Sequence, residues 1–189
     1  MMFMSELGPL EPLLGEWEGN VGVDVSYHNK EDETADTGYF EKAQFRPIPI
    51  VENGKQSMYG LNYSMTAWRH GEEAMDPFHD EVGYLLWEEA TKQVLRCFAV
   101  PRGIAILAGG TAEPDATSLT FKAEPGSSTY GLSQNKYLMD RATIKSFDCT
   151  FTLNGDGTFS YTSDLVLKLL ATGDEMHHTD RNTLHRTDA

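Results

Sequence analysis

The stretch Trp17-Glu-Gly-Asn-Val-Gly-Val-Asp-Val-Ser-Tyr27 decides how the fold is read. Its odd positions are Trp17, Gly19, Val21, Val23, Val25 and Tyr27. Its even positions are Glu18, Asn20, Gly22, Asp24 and Ser26. Successive side chains of a strand point to opposite faces, so this period-two pattern predicts a strand with a dry odd face and a wet even face. Gly19 and Gly22 leave room for a sharp bend or a close approach within it.

The same kind of segment recurs along the chain, near 36–46, 58–69, 81–88, 93–100, 103–111, 116–123, 140–153, 158–171 and 174–186. Phe147, Cys149, Phe151 and Leu153 share one face of a strand. So do Phe159, Tyr161, Leu165, Leu167 and Leu169 of the next. Between them lies Asn154-Gly-Asp-Gly157, a hairpin turn built from residues that tolerate positive φ. Val51-Glu-Asn-Gly54 marks another turn. Residues 124–139 read as a loop with room for a short element of its own. Leu7-Gly-Pro-Leu-Glu-Pro-Leu-Leu-Gly15 suits a short helical turn whose leucines plug one end. No repeat and no long 3.6-residue period is present. The expectation is an all-β chain: one domain over 1–189 holding an antiparallel up-and-down β-barrel of about ten strands, calycin-like, over about 15–187. Closure removes exposed strand edges, and a barrel this wide is expected to enclose a cavity.

Composition narrows the function. The chain has 189 residues, 40% of them apolar and 23% charged, with 29 acidic against 15 basic residues and a formal charge of −14. Such a surface repels phosphate backbones, so no nucleic-acid partner is expected. No apolar run approaches the ~20 residues of a membrane helix. The opening residues carry no basic region followed by an apolar stretch, so no signal peptide is read and a cytoplasmic location is expected. Cys97 and Cys149 lack metal-site spacing and are expected as reduced, buried thiols. The expected partner is a small apolar molecule, with homodimerisation left open.

Several segments, taken in order, resemble the nitrobindin family. Leu10-Glu-Pro-Leu-Leu-Gly-Glu-Trp17-Glu-Gly19 resembles its opening motif. Phe78-His-Asp-Glu-Val-Gly-Tyr84 resembles its His-x-Glu-x-Gly-aromatic segment, and Phe98-Ala-Val-Pro-Arg-Gly103 its Ala-x-Pro-x-Gly hairpin. His177-His-Thr-Asp-Arg-Asn-Thr-Leu-His-Arg186 resembles its closing His…Leu-x-Arg strand. The resemblance spans Leu10 to Arg186. It implies a ten-stranded, fatty-acid-binding-protein-like barrel holding a b-type haem (haem b) through one histidine near the C-terminus. It further implies that the ferric iron reacts with nitric oxide and isomerises peroxynitrite to nitrate. Two departures stand out: no Tyr-Pro follows the tryptophan motif, and the closing strand carries two histidines.

His178 is the first candidate for the iron ligand and His177 the second. A single neutral imidazole leaves one coordination position open. Adjacent strand residues face opposite ways, so only one of the two looks inward. A regular strand puts His178 on the face of Leu184, together with Asp180 and Asn182. That polar row equally suits a small-molecule site, and a rim histidine pair without function is the plainer alternative. His79 sits where a turn enters a strand and either lines the mouth or fixes the turn. Trp17, Trp68 and Trp87 are candidates to line a cavity, although aromatic residues more often just fill core. Arg96, Arg141, Arg181 and Arg186 are candidate carboxylate partners, with a solvated surface position as the usual alternative. No nucleophile triad, phosphate loop or zinc signature is present, so no catalytic side chain is assigned. The rival to haem is a non-catalytic barrel for a lipid or another small apolar metabolite.

Overall fold

Alternating apolar residues, punctuated by Gly, Asn and Asp turns, give strands at nearly all the expected places. The computed structural model describes residues 6–187. A 3-10 turn, Gly8–Leu13, precedes β1 (Gly15–His28), β2 (Glu33–Pro47), the two-residue β3 (Val51–Glu52), β4 (Ser57–Arg69), β5 (His79–Glu88), β6 (Gln93–Val100), β7 (Ile104–Thr111) and β8 (Ser118–Ala123). Then come β9 (Leu132–Gln134), the single helical turn α1 (Lys136–Met139), β10 (Ala142–Leu153), β11 (Thr158–Leu169) and β12 (Glu175–Arg186). Apart from the short β3 and β9, each long strand pairs antiparallel with its neighbours in sequence. β1 also pairs with β12, and β2 with β4, so the sheet closes on itself as a ten-stranded up-and-down barrel. Among the described residues no helix is long and apolar enough to cross a membrane.

The 3-10 turn forms the floor. Leu10 and Leu13 are wholly buried. The Trp17 indole N–H donates to the Leu13 carbonyl at 2.8 Å. From the last strand, Arg186 lies 4.5 Å over the Trp17 ring and donates to the carbonyls of Pro12 and Leu14. Phe45, Phe151, Phe159 and Leu184 pack above this layer. Each such side chain contributes about 1.5–3 kcal/mol on burial, so the floor is a real core and leaves the opposite end as the mouth.

One seam of the barrel is thin. β7 pairs with β8 only at Gly109↔Lys122, and β9 takes over the rest of that edge through Ile104↔Gln134, Ala105↔Ser133 and Ile106↔Leu132. The segment expected as a loop therefore patches the sheet. Gly109 allows this, because a Cβ there would meet the Tyr130 ring at 2.4 Å.

The first strand departs from its expected alternation. Gly19 pairs with Glu41, but Gly22 pairs with Tyr39, so β1 carries one extra residue and forms a β-bulge at Asn20–Val21. A bulge inserts one residue and shifts the parity of everything beyond it. Trp17 and Gly19 face inward as expected. Beyond the bulge Gly22 and Asp24 face inward instead, while Val21 is 62% exposed and Val23 and Val25 lie on the outer side. The stretch thus has two short dry faces rather than one long one, and Asp24 moves from solvent into the barrel.

Gly22 is the hinge of this change, since a Cβ there would meet the Tyr39 ring at 2.3 Å. Gly22→Ala should cost about 1–3 kcal/mol in urea unfolding, as overpacked sites do. Val21→Thr, one position away, should change stability by less than ~0.5 kcal/mol. Equal effects at the two positions would contradict the parity reversal.

Candidate functional site

The inward faces nearer the mouth carry an unusual load of polar groups, arranged in three linked sets. In the first, period two on β5 puts His79 and Glu81 on the same inward face. The Glu81 carboxylate, 5% exposed, is clamped by Arg96 of β6. Arg96 also donates from Nε to the Tyr63 hydroxyl at 3.0 Å and from a terminal nitrogen to Cys149 Sγ at 3.1 Å. Its guanidinium lies 4.4 Å from the Phe98 ring centroid. Burial works to raise the Glu81 carboxyl, but Arg96 and then His79 outweigh it and hold it down at about 2. His79 Nε2 lies 3.4 Å from the other Glu81 oxygen. A buried pair of this kind survives only when its remaining hydrogen-bonding groups are also satisfied.

The second set centres on Glu41 of β2, which is 2% exposed. The Tyr161 hydroxyl donates to its carboxylate oxygens at 2.8 and 3.1 Å, and Asn182 Nδ2 donates at 3.0 Å. Tyr161 in turn shares a 2.6 Å hydrogen bond with Tyr39. Among the described residues no guanidinium or ammonium touches Glu41, so burial prevails over these donors and pushes its carboxyl up to about 7.

The third set lies at the mouth. His178 Nε2 is 2.7 Å from Asp24 Oδ1 and 3.8 Å from Asp180 Oδ2. Ser26 Oγ donates to Asp24 at 2.6 Å, and Ser163 Oγ donates to Asp180 at 3.3 Å. Burial tends to lower His178, but Asp24 and Asp180 outweigh it and raise the imidazole above its ordinary value. Burial and the neighbouring Asp24 push Asp180 up to about 6, against the pull of His178. On its other side His178 meets an apolar wall, because register places it opposite Leu165 and Leu165 opposite Phe147. Phe98 packs on Phe147 at 5.7 Å between centroids. A groove of about 340 Å³ lies on the outer side of β10, β11 and β12, between Asp148, Thr150, Thr162, Asp164, Thr179 and Arg181.

Of the residues singled out from the sequence, His178, Asp180 and Asn182 stand in one inward row with Leu184, and His79 also faces inward. His177 does not. It is exposed on the outer face, with Nδ1 2.7 Å from Asp164. Trp17 belongs to the floor rather than to a guest cavity. Trp68 is displaced outward because Ala67 takes the inward position, and it packs on Phe40 across the outer surface. Arg141 is exposed beyond the barrel end and caps α1, bonding the Tyr137 carbonyl with its guanidinium over the Tyr137 ring. Cys149 is buried, but Cys97 lies half-buried on the outer side of β6; both are free thiols.

Of the four candidate arginines only Arg96 is buried inside the barrel. Glu41, Glu81, Tyr161 and Asp24 were not singled out as site residues. Two left a signal. Glu41 interrupts an otherwise apolar period-two set, Tyr39, Ala43 and Phe45, and Glu81 is the glutamate of the His-x-Glu-x-Gly segment. Asp24 left none, since only the bulge brings it inside.

Comparison with known proteins follows the same lines. A family model described as the THAP4-like, heme-binding beta-barrel domain matches residues 6–186. No protein in the curated set matches the chain. Among solved structures, Rv2717c from M. tuberculosis is similar with a TM-score of 0.62 and 18% sequence identity, over 98% of this chain and 99% of that one. At such identity the likeness speaks for the fold alone. The family match agrees with the resemblance read from the motifs.

Two stability measurements check the polar interior. Arg96→Met should destabilise by about 3–5 kcal/mol, because it leaves the Glu81 carboxylate buried without its counter-charge. Glu41 behaves in the opposite sense to a salt-bridged acid. Its share of stability is fully present below its ordinary value of 4.5 and is lost as pH rises through about 7. The fall in stability between about pH 5 and pH 8 should therefore flatten in Glu41→Gln; an unchanged slope would contradict a protonated Glu41.

Proposed function

The chain belongs to the THAP4-like, heme-binding β-barrel domain family, and from that premise we propose that its mouth holds a b-type haem with His178 as the iron ligand. The observation that carries this reading is the two-sided setting of His178. One ring nitrogen rests on a carboxylate, and an apolar wall of Leu165, Phe147 and Phe98 stands beside it. A ligating histidine commonly gives its second nitrogen to a carboxylate, which fixes its tautomer and orientation. With the proton on Nε2, shared with Asp24, the lone pair lies on Nδ1, which has no hydrogen-bond partner among the described residues. These features fit a haem ligand.

When bound, haem supplies a metal centre for nitric oxide and for the isomerisation of peroxynitrite to nitrate, and this is the activity the reading assigns. The chain's own residues bind, orient and exclude water. Asp24 holds the imidazole in place. Leu165, Phe147 and Phe98 present a dry surface to a flat guest. His79, kept on Glu81, faces inward from β5, with β1, β2 and β4 between it and the strand of His178. A second reading rests on a different observation. Arg96 is the only buried cation among the described residues, and Glu81, Tyr63 and Cys149 already engage it. That disfavours a fatty-acid carboxylate deep in the barrel and leaves an uncharged apolar metabolite as the alternative to haem.

Hemin titration decides between them. The wild-type protein should develop a Soret band near ~400 nm. His178→Ala should lose most of the band, and His177→Ala should keep it because His177 faces outward. No haem uptake by the wild type, or equal loss in both variants, would overturn the assignment.

A further inference from the structure

Beyond the haem reading, the mouth contains a second donor set built around the other nitrogen of the same histidine. We propose that Asp24, Asp180 and His178 Nε2 form a site for a divalent first-row transition-metal ion. Their donor atoms all lie within 4.8 Å of one another. Two ligands of one ion with bonds of about 2.1 Å lie at most about 4.2 Å apart, so small side-chain rotations suffice to bring the three onto one ion. The set is one imidazole and two carboxylates, a mixture that suits ions of the manganese, iron(II) and zinc kind.

Two further features support a cation here. Each carboxylate has a hydroxyl that holds it, Ser26 on Asp24 and Ser163 on Asp180, the kind of outer partner that orients metal ligands. The charge balance inside the barrel is also one-sided. At the mouth Asp24 and Asp180 share a single imidazole, and Arg96, the one buried cation among the described residues, is spent on Glu81. Buried carboxylates are stable when paired or when they coordinate a metal, and Asp24 and Asp180 sit directly opposite each other on neighbouring strands.

The two guests exclude each other through the imidazole. A neutral ring has one lone pair. A cation on Nε2 puts the proton on Nδ1, whereas an iron on Nδ1 leaves it on Nε2. Both therefore cannot use His178 at once.

The test is calorimetry and electron paramagnetic resonance with Mn2+ on the purified, haem-free full chain. One Mn2+ per chain should bind with a micromolar Kd. Asp24→Asn and Asp180→Asn, which keep side-chain shape, should each weaken binding at least tenfold, with circular dichroism confirming that they fold. A paired change on the outer face, Asp164→Asn with His177→Ala, should leave the affinity unaltered. Added hemin should displace the ion. Failure of Mn2+ to bind, or loss of binding only in the outer-face variant, overturns the cation site and leaves the haem reading standing. Mn2+ binding without any hemin uptake does the reverse.

Discussion

The β-bulge between Gly19 and Gly22 reverses the inward face of the first strand, and the chemistry of the mouth depends on that reversal. With regular pleating Asp24 would point to water and Val23 into the barrel. The extra residue exchanges them. Asp24 then comes to lie opposite Asp180 and within 2.7 Å of His178. Gly22 makes room for the Tyr39 ring, which connects through Tyr161 to Glu41. One backbone irregularity thus brings β1 into contact with the polar row of β12.

The barrel handles the resulting polarity by level. The floor is apolar and close-packed beneath the 3-10 turn. Above it, Glu81 is neutralised by Arg96, while Glu41 is surrounded by hydroxyl and amide donors and stays protonated up to about pH 7. Only at the mouth do two carboxylates and an imidazole meet beside an apolar wall. A barrel of this width was expected to enclose a cavity. Instead its lower levels are filled by large aromatic side chains.

Strand positions were legible because period-two burial and turn residues act locally, and each is written in consecutive residues. The facing of His178 was legible for the same reason, since β12 runs without a bulge from His178 to Leu184. Asp24 was hidden because neither Asn20 nor Val21 marks a bulge; only the pairing with β2 reveals it. Trp68 and Arg141 misled because residue type suggests a ligand wall or a carboxylate clasp, whereas strand parity and chain position put both outside. The Glu81–Arg96 pair joins two adjacent strands whose register sets Arg96 opposite Leu85, so only the reach of the two side chains inside the barrel brings the charges together.

The account stands or falls on His178 as the responsive imidazole of the barrel. Nitrogen-15 histidine NMR of the six histidines, during addition of hemin or Mn2+, reads this directly. The account predicts that the His178 ring signals shift or broaden first and most, with His79 next, while His177 and His185 hardly change. A response led by His177, or none at His178 with either addition, would contradict it.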